Sequence, residues 1–353
     1  MTRLVPLLLI LAITLGCNKD TDDPKPDFNK AALLTNISGD IILPSIGQFS
    51  ADLDNLSTAF NQFSLDQTQV NFEGVQEAIK TAYLTWQTVK IFDFGPIRTN
   101  GIKSAIGTYP SDTAVIASNI ASGSYNLSSL GNVDAMGLSA LDYLFFKQNA
   151  LNELQTSANY LTYAGDVVAK MVDEFAVVTN QWATYKATFD ASTGTSSTSA
   201  FSEFVNEFNR DFELAKNAKI GVPLGKQSLG IQLPEYIEAR YSGISLDLLE
   251  ESIRALQKVY NGVGFTTGAD GPGFDDYLIH LEKSNLDSTI DIGFNGIINK
   301  TNSFTNTLEQ EMVVSVPELD VLYSLLQGHV VHIKTDMTSS FGVLITYEDN
   351  DGD

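Results

Sequence analysis

The sequence predicts an all-α fold made of two tandem helical-bundle halves that pack together. Apolar residues recur at steps of three and four along several long stretches, which places them on one face of a helix. The alternation of apolar and polar residues that marks a β-strand is scarce, as are tight hairpin turns. A small, polar segment interrupts the chain at residues 190–200. Packing helix on helix is the simplest way to bury such stripes.

The amino terminus has the pattern of an export signal. Its apolar run, residues 4–15, is too short to span a bilayer and suits the core of a signal peptide. The motif TLGC at residues 14–17 resembles a bacterial lipobox, and Cys17 is the single cysteine of the chain. We therefore predict a lipoprotein signal peptide over residues 1–17, lipidation at Cys17 and a flexible, acidic tether over residues 18–29. The alternative is an ordinary signal peptide with an incidental cysteine.

The helical stripes of the first half are clearest in two places. One helix is predicted from Phe72 to Lys90 and another from Asn159 to Tyr185. The inward residues of the first are Phe72, Val75, Ile79, Ala82, Tyr83, Trp86 and Val89, and those of the second are Leu161, Val168, Met171, Phe175 and Trp182.

Two further helices are predicted in the second half. Ser245 is placed to cap a helix that ends at Gly262. Another helix starts near Pro317 and carries an apolar stripe as far as Ile333.

The polar segment at residues 190–200 separates a first half, residues 30–190, from a second half, residues 201–353. A faint internal echo supports a duplication, because residues 86–96 and residues 211–223 both end a helix in a turn with glycine and proline. Each half also has a long glycine-rich stretch, from Gly95 to Gly137 in the first and from Gly262 to Gly273 in the second. We expect both stretches to be loops.

The charge of the chain restricts its partners. Lys and Arg total 21 against 43 Asp and Glu, which gives a formal net charge of −22. Such a surface repels phosphate backbones, so no nucleic-acid partner is predicted. The acidic surface either keeps the protein soluble or concentrates cations near it. A single cysteine excludes an internal disulfide and a metal site built on several thiolates.

The segment GLSALDYLFF at residues 137–146, here called the signature segment, resembles the Gly-x-His-x-x-Glu motif of imelysin-like proteins. Ser139 occupies the histidine place and Asp142 the glutamate place. Residues 92–96, 219–226 and 343–353 extend the resemblance over most of the chain. It implies two helical-bundle halves with the signature segment in a cleft between them, a cell-envelope location and a link to iron uptake. One founding member of that family was described as a metallopeptidase.

The resemblance also implies a set of cleft-lining residues, with Asp142 as the charged centre. They are Phe94, Gly95, Gly137, Ser139, Asp142, Tyr143 and Lys226. A serine hydroxyl is a poor metal ligand and a poor base, so Ser139 and Asp142 alone make no zinc-peptidase site. Asp142 either ligates a hard cation or is a buried carboxylate satisfied by backbone groups. Ser139 is expected to cap or pack.

Two histidines and an aspartate form the pattern H-x-x-H-x-x-x-D at His329, His332 and Asp336, which suits Zn²⁺ or iron. His329 is therefore the second candidate metal ligand beside Asp142. The competing interpretation is a core or interface histidine, because His329 lies close to the apolar stripe of its helix. The third histidine, His280, is expected at the surface.

Three functional hypotheses follow. The first is a non-catalytic lipoprotein of the bacterial cell envelope, anchored to the outer membrane on its periplasmic side or at the cell surface. It would bind a ligand or metal in the cleft, with iron or another divalent metal as cofactor and iron-uptake components as partners, in iron or haem acquisition. The alternative is a metal-dependent imelysin-type peptidase in which His329 supplies a ligand. The third is an interaction subunit of an uptake complex.

Overall fold

A computed structural model of the chain describes residues 26–347, so the predicted signal peptide, Cys17 and residues 348–353 lie outside the described residues. All regular elements between residues 26 and 347 are helices, and no β-strand is present there. The all-α prediction is therefore confirmed. In the same part of the chain, no helix has both the length and the apolar character that a membrane crossing requires.

The α-helices of the first half end at the polar segment after residue 191. They are α1 (Lys30–Asn36), α2 (Leu43–Leu65), α3 (Gln69–Val89), α4 (Gly95–Thr99), α5 (Ile102–Gly107), α6 (Thr113–Ser122), α7 (Gly137–Phe146), α8 (Ala150–Thr156) and α9 (Ala158–Ala191). The second half contains α10 (Ala200–Leu214), α11 (Ser245–Tyr260), α12 (Phe274–His280), α13 (Ser284–Thr301), α14 (Leu308–Val314), α15 (Val316–Val330) and α16 (Thr338–Phe341).

Three wide π-helical turns join neighbouring helices without a break. They are Ile37–Ile42 between α1 and α2, Ala215–Gly221 after α10, and Val331–Met337 between α15 and α16. A π-turn shifts the register of the side chains that follow it, and such turns are frequent near functional sites. Tight 3₁₀ turns occur at Lys90–Phe92, Leu130–Ala135 and Pro234–Tyr236.

The first half is built on α2, α3 and α9, in which α2 packs against both of the others. Polar caps start the last two: the Thr68 hydroxyl accepts a hydrogen bond from Asn71 N–H in α3, and the Ser157 hydroxyl accepts one from Tyr160 N–H in α9. Their apolar faces are buried as the periodicity predicted, including Trp86 in α3. The signature helix α7 then packs on both α3 and α9.

In the second half, α13 packs between α11 and α15. The helix α11 begins at Ser245, but the predicted cap is not made, because the Ser245 hydroxyl is buried without a hydrogen-bond partner. The strongly one-sided stripe of α11 explains its position instead: it packs inward on α13 and across the junction on α3.

The two halves share one continuous apolar core. Besides the contact of α11 with α3, the turn Lys90–Phe92 packs on α10. Phe94 follows that turn and is fully buried. Its ring stacks on the Phe189 ring at a centroid distance of 5.4 Å, and its centroid lies 6.2 Å from that of Phe204 in the second half. The aromatic residues of this stretch therefore join the halves.

The glycine-rich stretch from Gly95 to Gly137 is not the loop that the sequence predicted. It folds into the short helices α4, α5 and α6 and the turn Leu130–Ala135. A local helix cap, which glycine content does not reveal, explains the difference. The Asp112 carboxylate caps α6 by accepting hydrogen bonds from the N–H groups of Ala114 and Val115. The second stretch, 262–273, does remain irregular.

Candidate functional site

The signature helix α7 begins at Gly137 because its backbone passes very close to α5. A Cβ atom on Gly137 would lie 2.6 Å from the carbonyl oxygen of Ile106 and 2.9 Å from that of Ala105. Gly137 also has a φ of +80°, which glycine adopts without strain. Backbone cannot move aside as a flexible side chain does, so the glycine fixes where α7 starts and hence where Ser139 and Asp142 lie.

Asp142 connects the two halves through its carboxylate. Its Oδ2 accepts a hydrogen bond of 2.9 Å from the backbone N–H of Tyr241, and its Oδ1 accepts one of 3.0 Å from the N–H of Ser242. The residue is 2% exposed. Burial raises the pKa of Asp142 to about 6; the hydrogen bonds from Ser242 and Tyr241 oppose this rise, and the nearby Glu238 adds to it.

A smaller cavity of about 320 Å³ lies beside this contact. Ser139 and Asp142 line it from the first half, and Tyr236, Arg240 and Tyr241 line it from the second. Ser139 is the third residue of α7 and is 7% exposed. The signature segment therefore lies at the junction of the halves, as the resemblance implied.

A larger cavity of about 490 Å³ adjoins the smaller one and shares Pro110 and Tyr236 with it. Its walls come from residues 86–110 of the first half and residues 210–238 of the second. Four charged pairs cross or border this junction, here called the interface ion pairs. They are Lys90–Asp211, Lys219–Glu238, Arg98–Glu207 and Arg210–Asp93.

The most deeply buried interface ion pairs are Lys90–Asp211 and Lys219–Glu238. Lys90 Nζ lies 2.6 Å and 2.8 Å from the two oxygens of Asp211 and donates a third hydrogen bond of 3.1 Å to Ser252. Burial by itself would raise the pKa of Asp211, but the ammonium groups of Lys90 and Lys103 outweigh it and hold that pKa below its ordinary value. Asp211 is thus a carboxylate held ionised in the interior.

Lys103 of α5 also lines the larger cavity, but it has no such partner. Its Nζ is buried and makes no hydrogen bond, and the nearest carboxylate oxygen is Asp211 Oδ1 at 3.8 Å. Burial lowers the pKa of the Lys103 ammonium; Asp211 opposes this fall, and Lys90 adds to it.

Four of the residues predicted to line the cleft lie together, and three lie elsewhere. Gly137, Ser139, Asp142 and Tyr143 occupy α7, and the Tyr143 ring packs against Tyr241 at a centroid distance of 5.2 Å. Of the seven, Ser139 and Asp142 line the smaller cavity, and Gly137, Tyr143, Phe94, Gly95 and Lys226 line neither cavity.

The three displaced residues have clear structural surroundings. Phe94 is in the aromatic core, and Gly95 lies against the Tyr185 ring, which a Cβ atom would approach to 2.4 Å. Lys226 forms an ion pair of 2.7 Å with Asp320 and lies over the Tyr323 ring. These three residues therefore shape the interior and the outer surface, whereas their motif neighbours Asp93, Lys219 and Val222 line the larger cavity.

His329 lies in the core of the second half. It is 2% exposed and packs on Phe294 and Phe212, at centroid distances of 4.5 and 5.0 Å. Burial and the neighbouring His332 lower its pKa to about 3. Its helix changes to a π-turn at Val331, and His332 lies outside, with Nδ1 at 3.4 Å from Asp336.

His329 therefore lines neither cavity and does not join Asp142. Over residues 26–347, no three His, Cys, Asp or Glu side chains are grouped so that they would hold a metal ion. Asp142 already accepts a hydrogen bond at each oxygen, and the adjacent hydroxyl of Ser139 is a poor ligand, so this donor set does not fit a zinc-peptidase centre.

Sequence reasoning missed the interface ion pairs and Lys103. A signal for one of them was present: Phe204, Phe208, Asp211 and Ala215 follow the three-and-four spacing of an inward face, so Asp211 is a charge inside an apolar stripe. A carboxylate in that position requires a cationic partner. Nothing in the local pattern identifies Lys90 as that partner.

Comparisons with known proteins agree with this architecture. The family model described as Imelysin matches residues 42–318. A crystal structure whose description is that of an iron-regulated protein A precursor from Parabacteroides distasonis aligns with a TM-score of 0.76 and 14% identity, over 91% of this chain and 97% of that one. An imelysin-like protein from Psychrobacter arcticum aligns with a TM-score of 0.74 and 14% identity, over 90% and 97%. Among curated protein sequences, none matches.

The raised pKa of Asp142 predicts a specific pH dependence of stability. Because the folded-state pKa is about 6 and the ordinary value is 3.8, the folded chain keeps a proton that the unfolded chain has lost between these pH values. The stability that Asp142 contributes is therefore fully present below about pH 4 and is lost as the pH rises through 6. The loss is on the order of 3 kcal/mol.

The test compares the unfolding free energy of the wild type with that of Asp142→Asn from about pH 4 to pH 7 by urea denaturation. The wild type should lose stability relative to the variant as the pH rises. Ser139→Ala is the control, because it changes the same helix without removing an ionisable group, and its difference from the wild type should be independent of pH. Parallel curves for the wild type and Asp142→Asn would contradict the assignment.

Proposed function

The chain belongs to the imelysin family, and from that premise we propose that it is a lipid-anchored protein of the bacterial cell envelope that serves iron or haem uptake by binding a ligand, without catalysis. The binding site in this proposal is the cleft formed by the smaller and larger cavities. Both halves supply its walls, and Asp142 holds them together by binding the backbone of Tyr241 and Ser242.

The state of the Asp142 carboxylate is the observation that carries the proposal. A general base or a metal ligand must present a free lone pair to a substrate or an ion. Each oxygen of Asp142 accepts one hydrogen bond from the opposite half, and with the residue only 2% exposed the lone pairs that remain have little access to a substrate or an ion. This favours a carboxylate that shapes the cleft over one that performs chemistry in it.

The link to iron is taken from the family and from the description of a structural neighbour. The Parabacteroides distasonis protein, which shares the fold at 14% identity, is described as iron-regulated. The pairing of a deep, charged cleft with an otherwise acidic chain is compatible with capture of an iron-bearing small molecule. This supports a binding role in iron uptake for the present chain.

The first test of this proposal measures how the amount of protein responds to iron. In cells that carry the native gene, growth with an iron chelator should raise the level of the protein severalfold over iron-replete growth, as quantified by immunoblot. Adding iron back together with the chelator should reverse the rise. A level that does not change with iron would contradict the iron assignment.

The second test addresses the alternative, a metal-dependent peptidase. The purified protein, incubated with unfolded casein and Zn²⁺, should leave the casein intact, because Ser139 and Asp142 do not form a zinc-binding donor set. Product peptides are measured by mass spectrometry. Cleavage that a chelator abolishes, and that Asp142→Ala also abolishes, would overturn the non-catalytic proposal.

The anchor in this proposal is a lipid on Cys17, which lies outside the described residues. The described part of the chain starts at Pro26, a few residues after the lipobox-like motif. A tether of this length would hold the folded body close to the membrane surface while leaving it free to rotate. A cysteine that carries more than one acyl chain is a stable anchor.

The lipid anchor predicts that Cys17→Ser releases the protein from membranes. The wild type should incorporate labelled palmitate and fractionate with the outer membrane, whereas the variant should do neither. Thr14→Leu serves as the control, since it restores the commoner lipobox residue and should keep the lipid. Unchanged membrane association of Cys17→Ser would contradict lipid anchoring at this residue.

A further inference from the structure

We propose that the larger cavity binds a small anionic ligand that bears carboxylates, and that Lys103 is the residue that recognises its charge. The ligand is either the free acid or the same acid as the shell of a ferric chelate. The iron-bearing form rests on the function proposed above, whereas the anion site itself does not.

The count of charges around the larger cavity is the first argument. The four interface ion pairs each use one cation and one carboxylate. Lys103 is a fifth cation, so five cations line the cavity against three lining carboxylates, which are Asp93, Asp211 and Glu238. Glu207 and Glu203 pair with Arg98 from outside the lining. This local excess stands out in a chain whose formal net charge is −22. An anion that enters the cavity would bring the missing negative charge.

The hydrogen bonding of Lys103 is the second argument. Its Nζ lies 3.8 Å from Asp211 Oδ1, beyond hydrogen-bond distance, and both oxygens of Asp211 already accept from Lys90. Among residues 26–347, Lys103 is the one lysine or arginine whose buried nitrogen has no hydrogen-bond partner. Leaving a buried donor unsatisfied is costly, and a ligand oxygen in the cavity that Lys103 lines would satisfy it.

The size and rim of the cavity support a small carboxylate. A volume of about 490 Å³ accommodates a molecule of a few tens of atoms at most. Arg98 and Arg210 stand at its rim, with side chains that are 46% and 40% exposed. Guanidinium groups match the planar geometry of a carboxylate. A ligand with several carboxylates can therefore contact Lys103 inside and the arginines outside.

Binding of an anion should also favour the charged form of Lys103. Burial lowers the pKa of Lys103, and the charged groups that face it are Asp211, Lys90, Asp93 and Arg210. An added anion beside Nζ favours the charged ammonium, so the pKa of Lys103 rises on binding. A purely structural lysine would not give this linkage between ligand and proton.

Isothermal titration calorimetry with citrate and with ferric citrate, at constant ionic strength, tests the proposal. The wild-type protein should bind both probes with one site per chain, and Lys103→Met should weaken binding at least about tenfold. Lys170→Met is the matched control. It makes the same change at a lysine of α9 that is paired with Glu174 outside the cavity, and its affinity should stay within about twofold.

Two further measurements separate binding from folding. The melting temperature of Lys103→Met should equal or exceed that of the wild type, because the substitution removes an unpaired buried charge. Titrations at several pH values should show that wild-type binding weakens as the pH rises, and does so at a lower pH than with an ordinary lysine, because burial lowers the pKa of Lys103. The proposal is overturned if the wild type binds neither probe, or if Lys103→Met binds them with unchanged affinity.

The two probes also distinguish this inference from the proposed function. Suppose that citrate binds through Lys103, that ferric citrate does not bind, and that the protein level does not change with iron. The anion site is then supported and the role in iron uptake is contradicted. If both probes bind through Lys103, and the protein level rises when iron is withheld, both are supported.

Discussion

The burial of charge between the two helical halves is the constraint on which the site depends. Lys90 and Asp211 lie on opposite halves, with side chains only 8% and 1% exposed. Lys219 and Glu238, both of the second half, form a pair that is equally buried. A charge in such a place is tolerated only when it is paired and hydrogen-bonded. Separating the halves would leave Lys90 and Asp211 without each other, so their pairing holds the walls of the cleft at fixed positions. A cavity with fixed, charged walls is suited to recognising a small charged molecule.

The signature segment contributes position rather than reactive groups. Gly137 lets α7 start against the backbone of α5, and Asp142 then binds the backbone at Tyr241 and Ser242. These contacts are compatible with serine at position 139, because none of them requires a histidine. The side chain at position 139 can therefore set the chemistry of the cleft without affecting its architecture. Asp142 and the interface ion pairs lie close enough to share an electrostatic neighbour. Glu238 acts to raise both the pKa of Asp142 and the pKa of Lys219.

The fold is shared with proteins of very different sequence. At 14% identity the structural alignment still covers about nine-tenths of the chain. Helix packing requires apolar residues at the right spacing and of suitable volume, and many residue combinations meet that requirement. Specific polar contacts are less replaceable, because a lost partner leaves a buried group unsatisfied. The identity of a ligand therefore has to be argued from the charged residues of this cleft, and Lys103 is the one that its neighbours leave unpaired.

Residue spacing alone determined the all-α class and the long helices α3, α9 and α11, because helical periodicity is a local property. The place of the signature segment between the halves was implied by the family resemblance instead. Only the tertiary structure decided that Phe94 packs in the core, that Lys226 pairs with Asp320 and that His329 lies among phenylalanines. It also decided that Lys90 meets Asp211 while Lys103 is left without a hydrogen-bond partner. Contacts between residues far apart in the chain depend on how the helices are arranged in space, and local spacing carries no record of that arrangement.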